Sequence, residues 1–304
     1  MSTIAWIGLG HMGAPMSGNL VAAGHTVRGY DISEECAAVA AARGVTTVGS
    51  IAEALEGAEA CFTSLPMPQH VRSVYDGPDG IWAHAAAGTL LMDTSTVDVA
   101  TSRWCHDEST ARGFTFVDSP VSGGTAGAEA HSLAFMLGGA ADDVERARGY
   151  VAPMAGNVIA CGEATAGIAA KLVNNMMLFI STMAVAEGSQ LAEQLGLDHA
   201  VFWNVANAAS GQSWAQRTWY PVPDIVPTAA ANHDFDATFS VDLARKDCAL
   251  AVQAGDTTGV HLPAAKLALG QLDELVSEGF GGKDCTLVTK FASPDGTLRG
   301  WSGH

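Results

Sequence analysis

Paired cysteines are missing from this sequence. The six present, Cys36, Cys61, Cys105, Cys161, Cys248 and Cys285, contain no Cys-x-x-Cys unit. That argues against a disulfide framework and for isolated thiols in a reducing cytosol. The ten histidines never fall in a His-x-His or His-x-x-x-His arrangement, so no metal site is expected. Basic residues are scarce, 15 against 32 acidic ones, for a formal net charge of -17. A phosphate backbone repels such a surface, so nucleic acid is not an expected partner. The acidity reads as solubility, and a local pocket can still oppose it for an anionic substrate. No basic leader precedes the first apolar run at Met1-Ser2-Thr3-Ile4, so the expectation is no signal peptide and a cytoplasmic location. Internal repeats and low-complexity blocks are lacking as well. Only Ile168 to Ala186 is apolar enough to raise the question of a membrane span. Lys171, Asn174 and Asn175 interrupt it, and such groups are costly at membrane depth. A helix buried in protein on nearly all sides, with no membrane partner, is the expectation.

What the sequence does have is a regular alternation of short apolar runs and helical patterns over its first 160 residues. Strands are expected at 3–8, 26–31, 60–65, 89–93 and 115–118, completed by 133–137 and 157–159. Helices are expected at 12–23 and 34–43, each closed by a glycine, Gly24 or Gly44. Strands alternating with helices of this length imply an α/β Rossmann architecture, a doubly wound parallel sheet. The character changes after Gly162. From Ala164 to Gly196 apolar residues recur on a helical period, enough for a helix of about 45 Å. Helical patterns follow at 198–209, 241–254 and 262–277, broken by a Pro-rich loop from Pro221 to Pro227. The expected organisation is a Rossmann domain at 1–162 and an all-helical domain at 163–290, joined by the long helix. Residues 291–304, polar and Gly-rich, are expected to form a loose tail.

Gly8-Leu9-Gly10-His11-Met12-Gly13 matches G-x-G-x-x-G. The pattern is weak alone, but here it follows a strand and opens a helix. The first glycine serves the tight turn, the second the approach of backbone to a pyrophosphate, and the third helix–strand packing. Phosphates then sit at a helix N-terminus, where N–H groups and the dipole favour negative charge. Asp31 ends the second expected strand. A carboxylate there accepts from ribose hydroxyls and repels a 2′-phosphate, and Ile32 and Ser33 follow it rather than an arginine. NAD is therefore preferred over NADP, although a turn or capping aspartate would occupy the same position. Two further strand ends, Leu65-Pro66 and Thr94-Ser95-Thr96, should also face the cofactor.

Asp118-Ser119-Pro120-Val121-Ser122-Gly123-Gly124 follows another strand end. Its small residues form either an anion-binding concavity suited to a substrate carboxylate or an ordinary Ser/Gly loop. Lys171 is one of five lysines and sits on the most apolar helix, with Asn175 four residues later on the same face. Burial disfavours a lysine's charged form and makes it a usable general acid or base. The alternative is a lysine snorkelling from a core helix.

The run from Gly8 to Leu20 resembles the N-terminal signature of the β-hydroxyacid dehydrogenases. The segment from Asp118 through Gly127-Ala128 is similar to their substrate-binding segment, Lys171-Leu172-Val173-Asn174-Asn175 to their catalytic helix, and Lys246-Asp247 to their cofactor-closing segment. Within that family the 3-hydroxyisobutyrate dehydrogenase branch is most similar, through Ser210-Gly211-Gln212-Ser213-Trp214, Tyr220-Pro221-Val222-Pro223 and Ala231-Asn232. The resemblance implies a small hydroxy-acid substrate and NAD as cofactor. It implies Lys171 as the catalytic residue, with Ser122, Gly123, Gly124 and Asn175 on the substrate and Thr96 and Lys246 at the nicotinamide half. It further implies a homodimer or homotetramer. Tartronate semialdehyde and succinic semialdehyde reductases would use the same residues. A cofactor-binding sensor without turnover is the reading from another class, and the retained Lys171, Asn175 and Ser122 loop argue against it. His11 and His70 are expected at the solvent edge.

Overall fold

The computed structural model describes residues 1–303. Contacts within the chain divide it into two units, between Lys171 and Leu172. In the first, short strands alternate with helices. In order they are β1 (Thr3–Ile7), α1 (Gly13–Ala22), β2 (Thr26–Tyr30), α2 (Glu34–Ala41), β3 (Thr46–Thr47), α3 (Ile51–Leu55), β4 (Ala60–Thr63), α4 (Pro68–Tyr75) and α5 (Ile81–His84). Then come β5 (Leu90–Asp93), α6 (Val99–Ala111), β6 (Thr115–Asp118), β7 (Val121–Ser122), α7 (Gly124–Glu129), β8 (Leu133–Gly138), α8 (Ala141–Val151) and β9 (Ala155–Gly162).

The sheet runs β3-β2-β1-β4-β5-β6-β8-β7, with β9 paired to β8. From β3 to β6 every pairing is parallel, the doubly wound arrangement expected. The order reverses between β1 and β4, and the crevice at their carboxyl ends is where such sheets bind ligands. Strand β8 departs from this pattern by running antiparallel to β6 and β7. Trp6 of β1 stacks on Phe62 of β4 at 4.8 Å, and both side chains are fully buried in the main core. Their indole and phenyl rings weld the two strands on either side of the reversal.

The second unit holds most of α9 (Ala166–Gln194), then α10 (His199–Ala208), α11 (Trp214–Thr218), α12 (Val241–Thr258) and α13 (Pro263–Ser277). Phe179, Met183, Ala244, Cys248, Leu272, Leu275 and Leu287 form its core. The first residues of α9 group with the sheet, so the contacts part later than the boundary drawn at residue 162.

Two expectations are corrected here. First, α9 is not covered on nearly all sides, because Val173, Met177 and Leu191 stand more than half exposed. It is the one helix among the described residues long and apolar enough to cross a membrane, but hydropathy alone does not say which face is covered. Second, residues 298–302 of the expected tail are not loose. Trp301 packs edge-on against Phe280 at 5.4 Å, Ser302 N donates to Asp234 Oδ1 at 2.5 Å, and Leu298 joins the core. An aromatic and a leucine hidden among polar residues account for the difference.

Candidate active site

The glycine turn between β1 and α1 is built by contact. At Gly8, φ is +95°, and an added Cβ would lie 2.3 Å from the Ser64 carbonyl oxygen. At Gly13 it would lie 2.0 Å from the oxygen of Gly8. Neither position admits a side chain. Gly10 differs, since a Cβ there meets nothing within 4 Å. The space over the turn is thus open to a ligand rather than filled by protein. No side chain caps α1. Ala14 N and Met16 N already donate to the Gly10 and Met12 carbonyls and Pro15 has no N–H, so an anion here would be met by the N–H groups of the glycine turn that precedes them. Asp31, just past β2, accepts from Leu9 N at 2.6 Å through Oδ2 and from Ser33 N at 2.8 Å through Oδ1. Each oxygen keeps a second lone pair for a ribose hydroxyl, so the turn-aspartate and ribose readings are compatible. Ile32 beside it is exposed and uncharged. An open glycine, an uncapped helix start and a carboxylate at the β2 end fit a dinucleotide.

The ends of β4 and β5 are coupled. Leu65 N donates to Ser95 Oγ at 2.8 Å, and Ser95 Oγ donates to Asp93 Oδ1 at 2.6 Å. Thr63 Oγ1 donates to the same oxygen at 2.6 Å. Burial pushes the Asp93 carboxyl up to about 6, against the hydrogen bonds from Ser95 and Thr63 and with a smaller push from the charge of Asp118. Pro66 lies exposed and Thr96 half-buried beyond these strand ends, and His11 and His70 are at the solvent edge as expected.

Beyond β6 the chain makes a short antiparallel pairing, Ser122 opposite Ala134. Gly123 and Gly124 then adopt φ of +133° and +64°, a backbone that only glycine takes without strain. Ser122 is half-buried there. Lys171, on the second turn of α9, is only 8% exposed, too enclosed for a snorkelling surface lysine.

In the second unit Asn175 is buried and donates through Nδ2 to Asp247 Oδ2 at 2.7 Å, while Asn174 Nδ2 donates to its Oδ1 at 3.1 Å. Lys246 Nζ lies 2.9 Å from Asp247 Oδ1. The buried carboxylate is thereby compensated by an ammonium and an amide, and the second N–H of Asn175 Nδ2 is left to donate elsewhere. Asp247 was not among the expected site residues. Its signal is its place on the stripe of α12 that buries Ala244, Cys248 and Ala251, where an acid needs a partner. Asp118 was also missed, because a strand-end aspartate has too many ordinary uses. Burial pushes the Cys61, Cys105 and Cys285 thiols far above their ordinary value.

Residues 3–162 match the family model for the NAD-binding domain of 6-phosphogluconate dehydrogenase, and residues 165–292 that for the NAD-binding domain of NADP-dependent 3-hydroxyisobutyrate dehydrogenase. The chain is 46% identical over 263 residues to the "Probable 3-hydroxyisobutyrate dehydrogenase" of Mycobacterium tuberculosis, covering 86% of this chain and 88% of that one. It is 36% identical over 294 residues to the NAD-dependent L-serine dehydrogenase of Pseudomonas aeruginosa, covering 97% and 99%. The solved structure of M. tuberculosis 3-hydroxyisobutyrate dehydrogenase with L-serine superposes with a TM-score of 0.88 at 43% identity, over 96% of this chain and 99% of that one. With the glycine turn, the NAD-binding edge and the lysine-bearing helix already in place, these matches make the chain a member of the β-hydroxyacid dehydrogenase family, an NAD-dependent dehydrogenase of small 3-hydroxy acids.

Proposed function

We propose that the chain oxidises 3-hydroxyisobutyrate to methylmalonate semialdehyde, a step of valine catabolism, with Lys171 as the proton-transfer residue. The observation that carries this reading is the enclosed Lys171 one helical turn before a buried Asn175. Bound NAD supplies the acceptor for the hydride of the carbinol carbon. Lys171 takes the hydroxyl proton, and in the reverse direction returns it to the carbonyl oxygen. Ser122 and the backbone of Gly123 and Gly124 hold the substrate carboxylate, and Asn175 donates to the substrate from the amide that Asp247 orients. Lys246 neutralises Asp247, which offers little to a substrate ammonium and favours an uncharged substituent such as methyl. Lys171→Ala is expected to lower kcat by about 10³-fold or more while NAD binding persists. Near wild-type turnover in that variant would remove Lys171 from the mechanism.

L-serine is the second reading, since a relative 36% identical is an L-serine dehydrogenase. NADH absorbance with NAD and a panel of 3-hydroxyisobutyrate, L-serine, glycerate, 3-hydroxypropionate and 4-hydroxybutyrate separates them by kcat/KM. Preference for 3-hydroxyisobutyrate supports the first reading. Preference for L-serine or glycerate keeps the chemistry and changes the substrate. Asp31 supports a preference for NAD over NADP, read in the same assay. The exposed apolar residues Val173, Met177 and Leu191 of α9 and Val201 and Val205 of α10 support assembly into a homodimer or homotetramer.

A further inference from the structure

We propose that Asp118 is the positioning residue for Lys171: its buried carboxylate caps the start of α9, and His106 holds that carboxylate in place. The inference rests on the reading of Lys171 as the proton-transfer residue and adds what sets its position.

The long helix begins without a local cap. Thr165 stands where a capping hydroxyl would, but its Oγ1 accepts from Arg103 Nη2 at 3.1 Å and its backbone is left-handed, φ +74°. The same guanidinium nitrogen donates to the Ala164 carbonyl at 3.0 Å. Capping comes instead from a residue 50 positions away, as Asp118 Oδ2 accepts from Ile168 N at 2.7 Å. Its Oδ1 accepts from Thr165 N at 3.0 Å. Bonds from a carboxylate to the positive end of a helix are charge-assisted and short. The surroundings are shaped to this carboxylate. A Cβ on Gly138 would fall 2.6 Å from Oδ1, and one on Gly167 would fall 2.8 Å from Oδ2. His106 Nε2 lies 2.7 Å from Oδ1, and since a carboxylate only accepts, the ring donates. Phe116 meets that ring edge-on at 4.7 Å. Asp118 is 3% exposed and His106 8%, so water has little access to replace either partner.

One catalytic piece hangs on this side chain, and a second follows it closely along the chain. Ile168, whose N–H it holds, lies three residues before Lys171, on the same helix face. Asp118 also ends β6, four residues before Ser122 and the carboxylate-holding loop. Losing the cap would fray or turn the first residues of a 29-residue helix without unfolding it. Lys171 would then move relative to the Ser122 loop, and a displacement of about 1 Å at a reacting group costs about 10²-fold in rate.

The test compares Asp118→Asn, His106→Leu and His106→Gln with wild type and Lys171→Ala. Thermal melts, NAD affinity by fluorescence titration and kcat on the preferred hydroxy acid are read for each. Asparagine cannot accept both N–H groups on its two ends, so Asp118→Asn is expected to lose about 10- to 100-fold in kcat with NAD affinity within about twofold. His106→Leu should lose about tenfold, and His106→Gln, whose amide nitrogen reaches where Nε2 stood, should recover to within about twofold. Folded Asp118→Asn or His106→Leu protein with wild-type kcat overturns the proposal, as does an equal loss in both His106 variants. If Asp118→Asn fails to fold, the His106 pair decides alone. Lys171→Ala with wild-type turnover instead removes the underlying reading, an outcome separate from a clamp that fails beside an inactive Lys171→Ala.

Discussion

Asp93 closes β5 with a buried carboxylate that accepts three hydrogen bonds on one oxygen. Its carboxyl is pushed up to about 6 by burial. The folded value therefore lies above the unfolded one. A group of that kind contributes its full stability below about pH 4 and loses it as pH rises through 6. The displacement from 3.8 to about 6 corresponds to about 3 kcal/mol. Asp93→Asn, which keeps an acceptor for Ser95 and Thr63, is expected to raise Tm at pH 8 and to change it little at pH 4.5. Melts at the two pH values check this, and an equal shift at both contradicts it. At this scale the sequence was partly legible. Lys171 and Asn175 stood out as polar residues on an apolar helix. Asp118, His106 and Asp247 did not, because their meaning lies in partners that are remote along the chain. Asp118 meets His106 12 positions away, and Asp247 meets Asn175 72 positions away.

The turn from β1 to α1 separates two uses of glycine. A Cβ on Gly13 strikes the Gly8 carbonyl, whereas one on Gly10 meets no protein atom. Gly13→Ala is therefore expected to lower Tm by several degrees, since backbone must shift to admit it. Gly10→Ala should leave Tm within about 2 °C and weaken NAD binding at least tenfold, since it fills space needed by the pyrophosphate. Calorimetry alongside an NAD titration distinguishes the two, and the reverse pattern would contradict the fit of a dinucleotide here. Strands and helices were legible as elements because period and glycine punctuation act locally. The antiparallel turn of β7 and β8 was not, because pairing direction depends on how the chain doubles back after Ser122. The exposed face of α9 was missed for a related reason: a helix that is apolar all round gives no sign of which side meets solvent.

For the whole molecule, the division into a sheet unit and a helical unit was visible as a change of periodicity after Gly162. What composition could not convey is where apolar surface remains outside. Val173, Met177, Leu191, Val201 and Val205 each stand more than half exposed, and apolar side chains of this kind are what the proposed assembly would cover. Leu191→Lys is expected to shift the proposed assembly toward monomer by light scattering at micromolar concentration. A wild-type chain that is already monomeric there would contradict that assembly.

The last turn of the chain carries a consequence of its own. Ser302 bonds back to Asp234, 68 residues earlier, and Asp234 in turn holds Lys283 at 2.9 Å. Trp301 lies on Phe280, and Arg299 reaches Glu193 of α9 at 2.7 Å. The helices α12 and α13 thus sit inside a loop fastened at both ends. An exopeptidase working inward from the carboxyl end should stall at Trp301 until that fastening opens. Its trimming rate then becomes a clock for local opening of the helical unit, readable by mass without any label.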